Sequence, residues 1–158
     1  MIKNYLTILE ESLDQKAAVL DEIVGYCREQ ETLLKQETLD LESFDSYVDK
    51  KDICIQKLAK LDEGFETLYE RMKEQLSAGK EPYKDQIARL QQKIKVITEK
   101  SVSIQTQEVR NKKMVEDYFT KERSHLRHER QASKAAYGYY KNMNNSNVVP
   151  PQFMDSKQ

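Results

Sequence analysis

The sequence predicts an all-α protein: an elongated antiparallel bundle of three long helices with coiled-coil-like packing, the third helix longest, followed by a flexible C-terminal tail. Three observations predict it. Charged residues make up 34% of the 158-residue chain, with four Gly, three Pro and no Trp, a composition of long helices rather than of sheets and turns. Apolar residues recur at steps of three and four over three long stretches, the mark of helices buried along one stripe. The connections between stretches are short and polar, which makes successive helices antiparallel neighbours.

The first helix spans about residues 2–36. Its stripe is Ile2, Leu6, Leu9, Leu13, Ala17, Leu20, Val24, Cys27 and Leu34, with a polar skip at Glu31. "KQETLD" interrupts it, and Asp40 is suited to cap the next helix while Leu39 packs on Phe44 as a hydrophobic staple. The second helix, about 40–77, has the strictest seam: Leu41, Phe44, Val48, Lys51, Ile55, Leu58, Asp62, Phe65, Tyr69, Met72 and Leu76. Lys51 and Asp62 are its polar members, residues that fix register and partner choice at some loss of stability. Gly64 weakens this helix by about 1 kcal/mol relative to Ala and is suited to a close helix crossing. "SAGKEP" ends it, with Gly79 suited to the C′ position and Pro82 to opening the next helix.

The third seam runs through Tyr83, Ile87, Leu90, Ile94, Ile97, Ser101, Ile104, Glu108, Asn111, Val115 and Tyr118. No Gly or Pro stands between Pro82 and Tyr137, so this helix is expected over about 82–137, roughly 80 Å long. It runs out of partner near residue 118 and should project past the turn between the first two helices. The expected division is thus one bundle domain, 1–137, and a tail, 138–158.

Several function classes find no support. A net charge of −1 gives no basic field for nucleic acid. The start "MIKNYLTILEESLDQK" reads as neither a signal peptide nor a membrane span, so a cytoplasmic protein without membrane insertion is expected. Cys27 and Cys54 read as buried, reduced thiols. With no Gly-rich phosphate loop, nucleophile elbow or CxxC, no enzyme and no cofactor is expected. His125 and His128 lie one turn apart, but Arg123, Arg127 and Arg130 around them disfavour a metal cation. Between Lys121 and Lys134 five basic residues face two acids, a solvated patch able to steer an acidic partner.

The segment "YGYYKNMNNSNVVPPQFM", 137–154, contains one Lys and no acid. Its anchors include Tyr137, Tyr139, Tyr140 and Met143. Two dispositions are open to it, folding back over the bundle or binding a partner, and the absence of a facing helix beyond residue 118 favours the partner. The expected contact surface joins these residues to Tyr118, Phe119 and Leu126 on the overhang.

The segments "FDSYVDKKDICIQKLAKLDEGFETLYERM" and "EVRNKKMVEDYF" resemble FlgN-type flagellar export chaperones, in which a mid-helix Lys precedes a leucine-spaced run and a later long helix carries an Asn beside an apolar pair. Here these are Lys50 or Lys51, then Asn111 with Met114 and Val115; "YGYY" resembles the family's C-terminal end. The resemblance covers about residues 5–140. It implies a small cytoplasmic chaperone without ATPase activity, monomer or homodimer. Such a chaperone binds hook–filament junction (hook-associated) proteins, prevents their premature assembly and delivers them to export gate components. It also implies that the long C-terminal helix masks the clients' helical ends. The competing reading is a structural coiled coil, or a FliJ-like export-apparatus protein, using the 41–76 seam to bind another copy or a rotor-like partner.

Overall fold

In the computed structural model, which describes residues 2–121, 134 and 136–142, three long helices follow in order. These are α1, Ile2–Leu34, α2, Leu41–Ala78, and α3, Lys84–Lys121, with a 3-10 turn at Glu81–Tyr83 before the last. A further helical segment occupies 136–142. The entry to α2 follows from its sequence. The Asp40 side chain accepts from the Ser43 backbone N–H at 3.1 Å and from its hydroxyl at 2.7 Å, filling a vacancy that every helix N-terminus has. Leu39 and Phe44 are both buried, as the staple requires. The exit differs in detail. Gly79 has φ −168° and ψ 95°, extended rather than left-handed, and its N–H reaches the Leu76 carbonyl. Pro82 opens the 3-10 turn as expected.

The interhelical pairs give the topology. Lys16 meets Asp62, and Gln30 donates to the Phe44 carbonyl: as numbers rise along α1 they fall along α2, so the two are antiparallel. Between α1 and α3 the pairs are Glu10–Arg89 at 2.8 Å, Asp14–Lys93 at 2.6 Å, Asp21–Lys100 at 2.6 Å and Glu31–Arg110 at 3.4 Å. Every one is separated by 79 positions. A constant difference means parallel helices in fixed register. α1 is the shared neighbour, close to α2 and α3 along its length, while the backbones of α2 and α3 keep apart and are bridged by long side chains. At this offset the α1–α2 turn lies beside residues 114–119 of α3, where the third helix was expected to lose its partner.

The seams of α2 and α3 are buried nearly as predicted, with Cys54 in place of Ile55. That of α1 is not. Its buried set is Leu6, Leu9, Leu13, Lys16, Leu20, Ile23, Cys27 and Gln30, an unbroken alternation of three and four. Lys16 and Gln30 replace Ala17 and the supposed skip at Glu31, and Ile23 replaces Val24. Lys16 is inside because Asp62 stands opposite at 2.6 Å: a charge enters a core when it is paired. Gly64 is not at a helix crossing either, since a Cβ there would meet no atom within 4 Å.

Among the described residues, 136–142 do not continue the straight line of α3 that a single rod over 82–137 would give. Thirty-one residues of straight helix would separate Glu108 from Tyr139 by about 46 Å, yet the Tyr139 hydroxyl donates to the Glu108 carboxylate at 3.1 Å. The chain therefore returns, and 136–142 packs beside the part of the bundle nearer the α1–α2 turn. The predicted helix–tail boundary at 137 falls inside that helical segment. Leu126, Met143, the His125/His128 patch and 143–158 lie outside the described residues.

Candidate partner-binding surface

Four seam positions, one from each packed element, converge where the 136–142 segment docks. Lys51 on α2 extends its ammonium to Glu108 on α3 at 2.8 Å. The same carboxylate oxygen accepts from the Cys27 thiol of α1 at 2.6 Å and from Tyr139. The Tyr139 ring covers the ammonium, with Lys51 Nζ 4.1 Å from its centroid, and the Tyr140 ring stands 5.7 Å from the same nitrogen. The two rings meet edge to face at 5.6 Å. Lys51, Tyr139 and Glu108 are 0%, 1% and 4% exposed, so a charge pair is sealed in the core with a cation–π lid over it.

The electrostatics keep the surrounding groups neutral. Burial pushes the Cys27 thiol far above its ordinary range; Lys51 opposes this and Glu108 adds to it. Burial also raises the Tyr139 and Tyr140 phenols, with Glu108 the next cause in each. All three stay protonated, and Cys27 and Tyr139 act as donors toward the one carboxylate. Its second oxygen, Glu108 Oε2, and the Tyr140 hydroxyl are buried without a hydrogen-bond partner among the described residues. Such orphaned atoms are ordinarily costly, which makes this the least relaxed level of the bundle. Both cysteines are buried and free. This arrangement offers packing and recognition: one carboxylate oxygen takes three donors, and the thiol among them is held protonated.

The predicted surface residues divide into two groups. Asn111 is fully buried; its amide donates to the Cys27 carbonyl at 3.0 Å and accepts from Gln107 at 2.8 Å. Val115, Tyr139 and Tyr140 are buried beside it. Tyr118 and Phe119 are half-buried, in edge contact at 5.5 Å, next to the α1–α2 turn. Tyr137 is 60% exposed, its ring 5.3 Å from Lys112 Nζ. The structure thus brings Asn111, Val115, Tyr139 and Tyr140 into the interior and leaves Tyr118, Phe119 and Tyr137 at the surface. The α2 seam offered to a second copy or rotor-like partner is covered by the chain's own helices, with Phe44, Leu58, Phe65 and Met72 at 3% exposure or less.

Sequence reasoning placed Lys51, Glu108 and Cys27 on three separate seams without joining them. The signal was present: a Lys and a Glu at core positions of facing helices call for each other. Among the described residues no group of three or more His, Cys, Asp or Glu is disposed to hold a metal, and no helix is long and apolar enough to cross a membrane.

The model of the FlgN protein family matches residues 1–145, a span that includes all three helices, the Lys51–Glu108 pair and the 136–142 segment. The chain belongs to the FlgN family. No curated protein and no solved structure gives a match. FlgN proteins are chaperones of flagellum biogenesis, and the all-α bundle fits that class. The FlgN match extends past Tyr140, so residues 136–142 lie within the matched span.

Proposed function

We propose that this FlgN-family chain is a flagellar type III export chaperone that binds hook–filament junction proteins. It would hold them unassembled in the cytoplasm and deliver them to the export gate. The observation that carries the reading is the docking of 136–142. A short aromatic helical segment seats against α2 and α3, so this face of the bundle accepts a helix from outside the three-helix core. A client's disordered helical end would bind by the same helix-in-groove chemistry. It starts on Tyr118, Phe119 and Tyr137, with Leu126 as a further contact. Tyr139, Tyr140 and Met143 join the contact when the client takes the place of the returning segment, and Asn111 and Val115 then form its floor. Fully burying a large apolar side chain contributes roughly 1.5–3 kcal/mol, and ordering a disordered client costs roughly 2–5 kcal/mol. The balance gives a reversible contact in the micromolar range, suited to a carrier that must let go.

The test is binding of a purified hook–filament junction protein by calorimetry. Phe119→Ala with Tyr137→Ala, both outside the buried cluster, should weaken it by about tenfold or more with helicity unchanged. Deleting 119–158 is a poorer test, because it also uncovers Lys51 and Glu108. Unaltered affinity in the double variant would sink the assignment of the surface.

A further inference from the structure

The flanks of α2 on either side of its buried seam have opposite charge. On one flank lie Asp45, Asp49, Asp52, Glu63, Glu66 and Glu70. On the other, Lys50, Ile53, Lys57, Lys60, Gly64 and Arg71 follow one another at steps of three and four, with Thr67 in sequence and no acid. All of these basic-flank positions are exposed. A stripe with that period is what one helix presents to another laid along it.

The surroundings make this stripe a groove rather than a solvated ridge. It faces the side of α1 away from α3, where Gln15, Ala18, Val19 and Glu22 with Lys57, Lys60 and Leu61 line a concavity of about 440 Å³. A second, of about 410 Å³, continues past Gly64 to Leu68 and Arg71. Lys50 marks the far end, stacked near Tyr26 and Tyr47. Ile53 is 54% exposed, and a side chain has free space over Gly64, where a Cβ would meet nothing within 4 Å. The acids among the lining residues are Glu22 and Glu63. On α3, Arg89, Lys93, Lys100 and Arg110 are matched to α1 carboxylates, but Lys57, Lys60 and Arg71 have no such match among the described residues.

We infer that the α1–α2 groove is a second docking surface, distinct from the one at the C-terminal segment, and that its occupant is an acidic amphipathic helix of another protein. The occupant's apolar seam lies on Val19, Leu61, Leu68 and Ile53, one of its side chains enters the dent at Gly64, and its carboxylates meet Lys57, Lys60 and Arg71. Charge complementarity selects this occupant: a basic helix would face the cations, and a purely apolar one would leave them half-desolvated.

The probe is a stapled synthetic helix of about four heptads with a leucine seam and glutamate flanks, beside a twin with lysine flanks, each titrated into the full chain by fluorescence anisotropy. The glutamate helix should bind about tenfold tighter than its twin, the factor expected of a few exposed ion pairs, and lose that advantage in high salt. Lys57→Glu with Lys60→Glu should reverse the preference. Gly64→Leu should abolish binding while raising Tm, since it fills the dent and replaces a helix-weakening residue; a purely structural glycine would not give opposite signs. Equal affinity for the twins, or a preference untouched by the charge reversal, overturns the inference. So does light scattering in which the wild-type chain self-associates and the charge reversal dissolves the oligomer, because the occupant would then be a second copy.

Discussion

Replacing Lys51 by Met removes the cation at the centre of the bundle while keeping a side chain of similar length. Glu108 would then be a carboxylate with 5% side-chain exposure, held only by the Cys27 thiol and the Tyr139 hydroxyl. Breaking a buried pair from one side destabilises by about 3–5 kcal/mol, because the surviving charge stays out of water. The cation–π contact with Tyr139 adds up to about 2 kcal/mol when desolvated. In a chain of this size 1 kcal/mol moves Tm by roughly 2–4 °C, so a fall of about 6–20 °C is expected in a thermal melt followed by circular dichroism. Two companions make the number interpretable. Lys51→Met with Glu108→Gln removes both charges and keeps an acceptor for Tyr139, and it should recover at least about half of the loss. Lys93→Met breaks the pair with Asp14, whose side chain is 61% exposed, and should cost less than about 1 kcal/mol. If Lys51→Met costs no more than Lys93→Met, the buried pair is not what holds this level together.

Three further predictions follow from the same geometry. Tyr139→Phe keeps the ring over Lys51 and loses one hydrogen bond, costing about 1 kcal/mol, whereas Tyr139→Ala opens the cluster and costs about 3–5 kcal/mol; denaturant titration separates them. Burial, and then the neighbouring Asp49, raises the Asp52 carboxyl. A raised folded-state pKa means that the folded chain binds the proton more tightly, so this group's contribution falls as pH rises above its unfolded value. Asp52→Asn should therefore stabilise at neutral pH by under about 1 kcal/mol, and the gain should vanish below the ordinary carboxylate range. Both thiols should resist a disulfide reagent in the folded chain at mildly alkaline pH, Cys54 because burial pushes it up to about 11. They should react in step with unfolding as urea is added.

Helix count, the alternating up–down–up direction of the helices and most of the core were legible because heptad spacing is a local signal. Lys16 and Gln30 are hidden from a hydrophobic stripe, because both are polar and Ala17 stands one position on from Lys16. Strict alternation of three and four from Leu13 lands on Lys16, then Leu20, Ile23, Cys27 and Gln30. That α3 lies on α1 was not legible, since the charges that lock them are 79 positions apart and equivalent acids line one flank of α2. The return of Tyr139 was the least accessible feature. Helix propensity gives no reason to stop between Pro82 and Tyr137; the reason to return is non-local, a Lys51–Glu108 pair whose exposed side needs a cover. Of the partner surface, Tyr118 and Phe119 stand at the level where seam counting ends the bundle, while Tyr137 stands beside Lys112 rather than beyond it. Tyr140 and Asn111 stand in the interior, because burial there is decided by elements far away in sequence.

The fixed offset between α1 and α3 also limits how such a chain can change in length. Inserting one residue within α1 turns everything beyond it by about 100°, which would slide Asp14, Asp21 and Glu31 off Lys93, Lys100 and Arg110 and carry Lys16 away from Asp62. Adding a whole heptad to α1 restores the angle but moves the ladder by two turns, so α3 must lengthen at the same level, and α2 must do so to span the longer pair. Length variation within the helical part should come in matched steps of seven residues per helix, about twenty-one in all, while the exposed stretch 35–38, ahead of buried Leu39 and the Asp40 cap, is where insertions are tolerated. An indel that breaks this rule marks either a displaced register or a different set of interhelical pairs.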